Sequence, residues 1–275
     1  MKRRNNVFKL LLSGPYLIWM AIFVLVPMGM VLYFALTDPD TGRFTLDNLM
    51  GIEEFLPVFG ESVWLAAVSA LLCIVIAYPV AYVIAKAAPS RQRVLILLVM
   101  LPMCMSFLLR TLAWVALLED TGILNRLLGS LGIGPLKLIR TRGAVILGMV
   151  YNYLPYMIMP LYSVLTKLDR RLIEAAEDLG CSGTQVFFKV ILPLSAPGII
   201  SGTTMVFVPA VSTFYISKKL GSSGTALIGD LIESQFKQSY NPNLGAAMSL
   251  VLMVMIFICM GIMNRFAGQD EVSRI

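Results

Sequence analysis

The residues whose types and spacing could support chemistry lie mainly in one polar stretch, residues 166–196, between two long apolar runs. Within it Glu174, Glu177 and Asp178 place three carboxylates close together. The whole sequence has no histidine and no G-x-x-x-x-G-K-[ST] phosphate-binding loop. These absences exclude histidine-based catalysis, histidine metal sites and ATP hydrolysis through such a loop. The chemistry left to this stretch is recognition of another molecule.

The same stretch carries the signals of two short helices. Asp169 can cap the first, because its carboxylate can accept from free N–H groups of the first turn. Gly180 can end that helix in the left-handed conformation. Ser182 and Gln185 form a capping-box pattern for a second helix, which Pro193 is expected to stop.

Apolar residues fall on one side of each predicted helix. They are Leu172, Ile173, Ala176 and Leu179 on the first helix, and Phe187, Val190, Ile191 and Leu194 on the second. Such faces need to be covered. The pattern therefore predicts either a docking element for a cytosolic partner, or a hairpin that lies on lipid or on its own bundle.

The rest of the chain has the composition of an integral membrane protein. It is 58% hydrophobic and 14% charged, with a mean hydropathy of +0.81, whereas soluble domains are about 45–50% apolar and about 25% charged. In so apolar a chain, the net charge of +6 indicates basic residues that fix topology at anionic lipid rather than nucleic-acid binding. Six runs have the roughly 20 residues needed to cross a bilayer. They are residues 11–36, 63–85, 94–118, 144–165, 197–217 and 244–263.

The distribution of charge orients these spans. Segment 37–61 is acidic, which suits the outer face, and the basic residues are more frequent on the side that holds both termini. This orientation also places 166–196, between the fourth and fifth spans, on the cytoplasmic side. We therefore predict an all-α, multi-pass protein with both termini in the cytoplasm.

Three parts of the chain are predicted from these patterns. Residues 1–61 form an N-terminal transmembrane helix with an acidic outer loop, residues 62–265 form a five-helix core that contains the loop 166–196, and residues 266–275 form a cytoplasmic tail. No metal site is predicted, because the cysteines show neither metal-ligand spacing nor disulfide pairing, and packing is the simpler role. They are Cys73, Cys104, Cys181 and Cys259.

One motif within the polar stretch resembles that of a known family. The order Glu-Ala-Ala, three residues, Gly, nine residues, an aliphatic residue, one residue, Leu-Pro resembles the EAA loop of the permeases of ABC importers. The matching residues are Glu174, Ala175, Ala176, Gly180, Val190, Leu192 and Pro193. The resemblance implies the type I importer (MetI-like) fold with six transmembrane helices and cytoplasmic coupling helices, in a bacterial plasma (inner) membrane.

The resemblance also implies how this loop works. It would lie in a cleft of a separate ATPase, so that ATP and magnesium belong to that partner and this chain is a transport subunit without its own ATPase site. Glycine would leave room for close approach. The residues implied in coupling are Glu174, Ala175, Ala176, Asp178, Gly180, Phe187, Leu192 and Pro193.

A wider resemblance, from the first helix to about residue 265, is to permeases of spermidine/putrescine (PotB-type) importers. The residues that carry it are Arg110 with Ala113-Trp114, then Gly122 to Asn125, Tyr151 to Pro155, Val206 to Ala210, Ser212 to Phe214, and Leu227 to Phe236. It implies an ATPase dimer, a second permease, an extracytoplasmic substrate-binding protein and a polyamine substrate. The segment Pro102 to Met105 departs from the pattern, because it lacks the aromatic residues that relatives often carry there.

A polyamine is a flexible polycation, so its path would offer carboxylates and aromatic faces. The carboxylate candidates are Glu119, Asp120, Asp230 and Glu233, and the aromatic candidates are Trp114, Tyr151, Tyr156, Phe214 and Tyr215. The alternative is that the rings form an interfacial belt and the acids face water.

Arg110 is the charged residue within an apolar span. Its insertion costs about 2.5–3.5 kcal/mol, so it should face a partner group or a wet cavity. A structural pair with a neighbouring carboxylate or helix C-terminus is expected, since a cation there would repel a cationic substrate. Two other functions stay open. One is an importer of another small solute such as an oxyanion, which the positive charge of Arg110 would favour, and the other is a secondary transporter that needs no ATPase.

Overall fold

The structure, a computed structural model, describes residues 14–38 and 41–272, without the side chains of residues 223, 264 and 266–272. Regular structure in these ranges is helical, and Thr37 and Phe44 form an isolated antiparallel bridge. The predicted all-α class is confirmed. The helices are α1 (Gly14–Ala35), α2 (Asp47–Met50), α3 (Leu56–Lys86), α4 (Pro89–Met100), α5 (Phe107–Leu118), α6 (Ile123–Ser130), α7 (Arg142–Thr166), α8 (Arg170–Asp178), α9 (Gly183–Leu194), α10 (Ala196–Val211), α11 (Tyr215–Leu220), α12 (Ile228–Lys237) and α13 (Pro242–Val272).

Four stretches of helix are long and apolar enough to cross a membrane unaided. They are α1, Asp47–Lys86, α7 and Pro242–Met263. The predicted third and fifth spans are instead bent pairs. Pro89–Cys104 meets Phe107–Ser130 at 86°, and Gly183–Leu194 meets Ala196–Val211 at 62°. The predicted six spans are reached in the described chain when each bent pair counts as one.

The 86° break has a local cause. Met105 and Ser106 adopt extended backbone between the 3-10 turn Leu101–Cys104 and α5. The predicted fifth span, residues 197–217, is also shorter than expected, since α10 ends at Val211. Pro209 in its last turn has no N–H to donate, so that turn is weakened.

Prolines inside two helices are accommodated by wider turns. A π-helical segment, Ala21–Leu25, directly precedes the turn that contains Pro27, and another, Phe187–Ile191, precedes Pro193. A proline lacks the N–H and its ring clashes with the carbonyl four residues earlier, and a π turn relieves both problems. The prediction that Pro193 stops its helix is therefore wrong by one residue, since α9 continues to Leu194.

Packing divides the chain into two compact units. The first contains the described residues up to Leu56 together with Leu231–Val254. In it the side-chain amides of Asn48 and Asn243 both donate to the carbonyl oxygen of Thr37, at 2.9 and 2.6 Å. These two bonds tie the turn after α1 to α2 and to the start of α13.

The second unit contains Pro57–Asp230 and the described residues from Met255 onward. Its main contact is between α7 and α10, where a Cβ atom at Gly202 would lie 2.6 Å from the sulfur of Met157. A side chain at this position would displace Met157 or push the two helices apart. The middle of α3 also packs on α7, where the hydroxyl of Ser69 lies 3.3 Å from the sulfur of Met149.

Candidate functional site

The first helix of the loop has the two caps that its sequence predicts. The carboxylate of Asp169 accepts from the N–H of Arg171 at 3.0 Å. At the other end Gly180 has a φ of +82°. The N–H groups of Gly180 and Cys181 donate to the carbonyls of Glu177 and Ala176, at 2.9 and 3.1 Å. These two hydrogen bonds are the pattern of a Schellman cap.

The predicted capping box at the start of the second helix is also confirmed. The hydroxyl of Ser182 accepts from the N–H of Gln185 at 3.4 Å, and the amide oxygen of Gln185 accepts from the N–H of Ser182 at 2.9 Å. Both helix starts are thus fixed by residues of the loop itself.

The two helices differ in how far they are covered by the chain. On α8, Glu174, Ala175 and Asp178 are exposed, and so is Gly180 after it. Leu179 is 86% exposed. The predicted apolar face of α8 is therefore only partly covered, which favours the docking element over a hairpin packed on its own bundle.

The second helix is anchored to α3. Phe187 packs edge-on against Tyr78 and Tyr82, with ring centroids 5.4 and 6.2 Å apart. The hydroxyl groups of Tyr78 and Ser195 are 2.8 Å apart. Because the Ser195 hydroxyl donates to the carbonyl of Leu192 at 2.9 Å, the Tyr78 hydroxyl donates to Ser195. Of the other predicted coupling residues, Phe187 on α9 thus anchors the loop to α3, while Ala176 on α8 and Leu192 and Pro193 on α9 are half-buried.

A cleft separates α8 from the turn between α3 and α4. One cavity of about 320 Å³ is lined by residues of that turn and of the loop, and a neighbouring one of about 310 Å³ is lined by Lys86, Arg170, Ile173, Glu174 and Glu177. Glu174 therefore faces a space shared with two cations.

Sequence reasoning missed the residues that shape this cleft. The side chain of Gln92 donates to the carbonyls of Ala85 and Ala87, at 3.1 and 3.0 Å, and accepts from the hydroxyl of Tyr162 at 3.2 Å. It closes the end of α3 and ties the turn to α7. The signal available in the sequence was an uncharged amide, Gln92, between the two cations Arg91 and Arg93.

The aromatic candidates are brought together along α5. Trp114 meets Tyr151 on α7 with ring centroids 5.4 Å apart, and Phe107 meets Tyr215 on α11 at 6.1 Å. Phe107 and Trp114 are seven residues apart, so they share a face of the helix. Sequence reasoning had not selected Phe107.

The remaining two aromatic candidates are more open. Tyr156 and Phe214 are both exposed, and the ring of Tyr156 lies 6.4 Å from that of Tyr153 on the same helix. The structure places neither of them in the two ring pairs along α5.

Arg110 lies on the same face of α5 as the two ring pairs. It is only 7% exposed. Its Nε and Nη1 atoms are buried, and no hydrogen-bond acceptor for them is found among the described residues. The expected pairing of these two groups with a carboxylate or a helix end is therefore wrong for the part of the chain that the structure describes. Two buried donors are left for a further acceptor.

The acidic candidates have neighbours of their own. Glu119 and Asp120 line a cavity of about 450 Å³ together with Lys137 and Arg140, so cations lie beside those acids.

The other two acids lie on α12. The carboxylate of Asp230 accepts from the N–H of Leu227 at 2.8 Å. Glu233 forms an ion pair with Lys237 at 2.8 Å. Both acids thus contribute to local structure, and their contact with a substrate stays a prediction.

Comparison with known proteins decides the family. A model described as the binding-protein-dependent transport system inner membrane component matches residues 77–268. The chain belongs to this family. It is 38% identical to the spermidine/putrescine transport system permease protein PotB of Haemophilus influenzae, over 93% of both chains. It is 36% identical to PotB of Escherichia coli, over 86% of this chain and 90% of the relative.

Solved structures agree on the fold. A bacterial ABC transporter involved in import of the acidic polysaccharide alginate matches with a TM-score of 0.81 at 18% identity, over 98% of this chain and 96% of that one. A bacterial alginate ABC transporter in complex with an alginate pentasaccharide-bound periplasmic protein matches with a TM-score of 0.78 at 18% identity, over 97% of this chain and 95% of that one. The MetNI methionine transporter matches with 0.60 at 17% identity, over 78% and 95%. The chain is a multi-pass membrane permease subunit of an ABC transporter with the MetI-like fold, as its sequence predicts.

Proposed function

We propose that this chain is the permease subunit of an ATP-driven importer for polyamines such as spermidine and putrescine, and that it forms half of the translocation path. The observation that carries this proposal is the identity of 36–38% to PotB permeases over most of both chains. The family sets the class of protein, and these relatives favour the polyamine as cargo.

Coupling to ATP is assigned to the loop between α7 and α10. The exposed Glu174, Ala175, Asp178 and Gly180 would enter a cleft of a separate ATPase, present as a dimer, which holds the ATP and magnesium. Movement of α8 would reach α9 through the short capped turn, and from there reach α3 through the Tyr78 contacts. Helices joined in this way would move together as a rigid body, so a displacement of α8 would also displace α9 and α3.

The other partners follow the family. A second, similar permease would complete the path, and a substrate-binding protein outside would deliver the cation. Transport would be alternating access, in which ATP-driven closure of the ATPase dimer favours the outward-open state. The orientation proposed is the one that the basic residues favour, with both termini and the loop in the cytoplasm of a bacterial cell.

The path itself would pass the aromatic face of α5. The ring pairs Trp114–Tyr151 and Phe107–Tyr215 could contact an ammonium group, with cation–π contributions of roughly 0.5–2 kcal/mol each. The acids of the outer cavity and of α12 would attract the cation electrostatically.

A second candidate function is favoured by Arg110. The described residues offer no acceptor for its buried Nε and Nη1 groups, and these groups suit an anionic solute better than a polycation, which the guanidinium repels. An importer of a small oxyanion would therefore use Arg110 in the path. In the polyamine importer, by contrast, Arg110→Gln would leave substrate affinity unchanged or raise it.

Uptake by the assembled transporter in proteoliposomes tests these alternatives. We expect ATP-dependent uptake of labelled spermidine. Unlabelled putrescine should compete with this uptake, whereas sulfate and phosphate should not. This chain reconstituted without its ATPase should be inert. Spermidine transport that persists without the ATPase would indicate a secondary transporter. Competition by an oxyanion, with loss of uptake in Arg110→Gln, would favour the anion importer.

The acidic candidates have a separate test. We expect Asp230→Asn with Glu233→Gln to lower the rate of spermidine uptake, because both variants keep a side-chain acceptor and lose only charge. Asp47→Asn, outside the proposed path, is the matched control. An unchanged rate in the double variant would remove both acids from the path.

A further inference from the structure

We propose that an anionic phospholipid binds the groove between α3 and α4, with its phosphate held by Arg91. The groove has a volume of about 480 Å³, is open on one side and is almost wholly apolar. It is lined by Pro79, Val80, Val83 and Ile84 of α3 and by Leu95, Leu98 and Val99 of α4.

Most of the groove wall faces away from the core of the chain, whereas Ile84 at its base is buried. Val83 is 63% exposed and Leu98 is 57% exposed, and α4 has no buried residue. Exposed aliphatic side chains on a membrane-spanning segment need a hydrocarbon or protein neighbour. An acyl chain matches an apolar, one-sided groove of this kind.

The position of Arg91 gives the groove a charged end. Arg91 precedes Leu95 by four residues and Leu98 by seven, so it shares their face of α4, about 6 Å along the axis from Leu95. It is exposed. Arg93, two residues on, points to a different face. A phosphate can therefore bind Arg91 while its acyl chain lies against the groove.

The helices that form the groove, α3 from Ser62 onward and α4, contain no acidic residue that could neutralise Arg91. No acidic residue occurs between Ser62 and Leu118. The neighbouring cation, Lys86, is engaged elsewhere, since its Nζ lies 4.4 Å from the ring centroid of Tyr82 and it lines the cleft with Glu174. Arg91 is thus left as the cation at the mouth of the groove.

The mouth lies at the same end of the second unit as the coupling loop. Pro89, at the start of α4, and Arg170, at the start of α8, line one cavity. On the cytoplasmic side, which is the side proposed above for this loop, basic pockets between membrane helices bind anionic headgroups. Each nearby Lys or Arg strengthens binding to an anionic surface by about fivefold. Lipid supplies both the acyl chain and the phosphate, whereas a protein occupant would need an acid placed opposite Arg91. This inference does not depend on the identity of the transported solute.

Native mass spectrometry of the assembled transporter tests the site. The complex is reconstituted in nanodiscs of phosphatidylcholine with phosphatidylglycerol, and retained lipid is counted per assembled complex, so that misfolded chains do not contribute. We expect selective retention of phosphatidylglycerol. Arg91→Gln should lower it about fivefold, and the matched control Arg93→Gln should leave it unchanged. Val83→Trp, which fills the groove, should release the lipid without loss of the second permease.

Two results would overturn the proposal. Equal retention in Arg91→Gln and Arg93→Gln would show that no phosphate is held at Arg91. Loss of the second permease from the Val83→Trp complex would show that the groove belongs to a protein interface instead.

Discussion

Gly180 offers a test that separates a backbone requirement from close docking. Its φ of +82° is strained for other residues, and nothing lies within 4 Å of the position that its Cβ would take. Gly183, in the same loop, also has open space around its Cβ position but has no positive φ. Gly183→Ala is therefore the matched control for Gly180→Ala.

The size of the local effect follows from the backbone. A residue other than glycine pays roughly 1–2 kcal/mol in the left-handed conformation, which Asn tolerates better. Gly180→Ala should thus weaken the cap of α8 by a factor of about 5–30, and Gly180→Asn should weaken it little. Hydrogen exchange of the Cys181 N–H, which donates to Ala176 at 3.1 Å, measures this directly.

Transport, unlike the stability of the cap, should depend on the size of the side chain at position 180. If an ATPase approaches the exposed Gly180 closely, both Gly180→Ala and Gly180→Asn should reduce ATP-dependent uptake. We expect about tenfold for Asn, which corresponds to about 1.4 kcal/mol of weakened docking. Gly183→Ala should transport normally. Wild-type uptake by Gly180→Asn would refute the close approach and leave the glycine a purely local role at the helix end.

Three further predictions concern the loop, its contact with α3, and the packing at the start of α12. Glu174→Arg should reduce uptake to the level seen without ATP while the chain still inserts in the membrane, and wild-type uptake would contradict the docking role. Tyr78→Phe and Ser195→Ala should each lower thermal stability by about 1 kcal/mol, and their double-mutant cycle should show a coupling of similar size; additive effects would mean that the 2.8 Å bond contributes nothing. Gly229→Ala should destabilise by about 1–3 kcal/mol, because its Cβ would lie 2.6 Å from the backbone oxygen of Thr213, whereas Gly129→Ala, with open space, should be neutral or stabilising by up to about 1 kcal/mol; equal melting temperatures of the two variants would contradict this packing.

Local signals of the loop could be predicted from the sequence because they act over a few residues. The Asp169 cap, the left-handed Gly180 and the Ser182–Gln185 box each need partners within five positions, and all three are present. The membrane class and the all-α fold followed from composition and run length, which need no knowledge of contacts.

Contacts between distant segments could not be predicted in this way. Tyr78 and Ser195 are 117 residues apart, and neither carries a pattern that identifies its partner. The bends of 86° and 62° were missed for another reason. An apolar run has the same composition whether or not its helix is interrupted, so the extended backbone at Met105 leaves no trace in hydropathy.

The support of α3 at its middle has a mechanical consequence. The helix is about 46 Å long, and the buried Ser69 and Cys73 near its midpoint rest on Met149 and Val150 of α7. Tyr78, toward one end, is fastened to the loop. If the loop moves, α3 would pivot about its central contact with α7, so that its two ends would move in opposite directions. Under the alternating-access transport proposed above, such a pivot of one helix would close one side of the path while it opens the other.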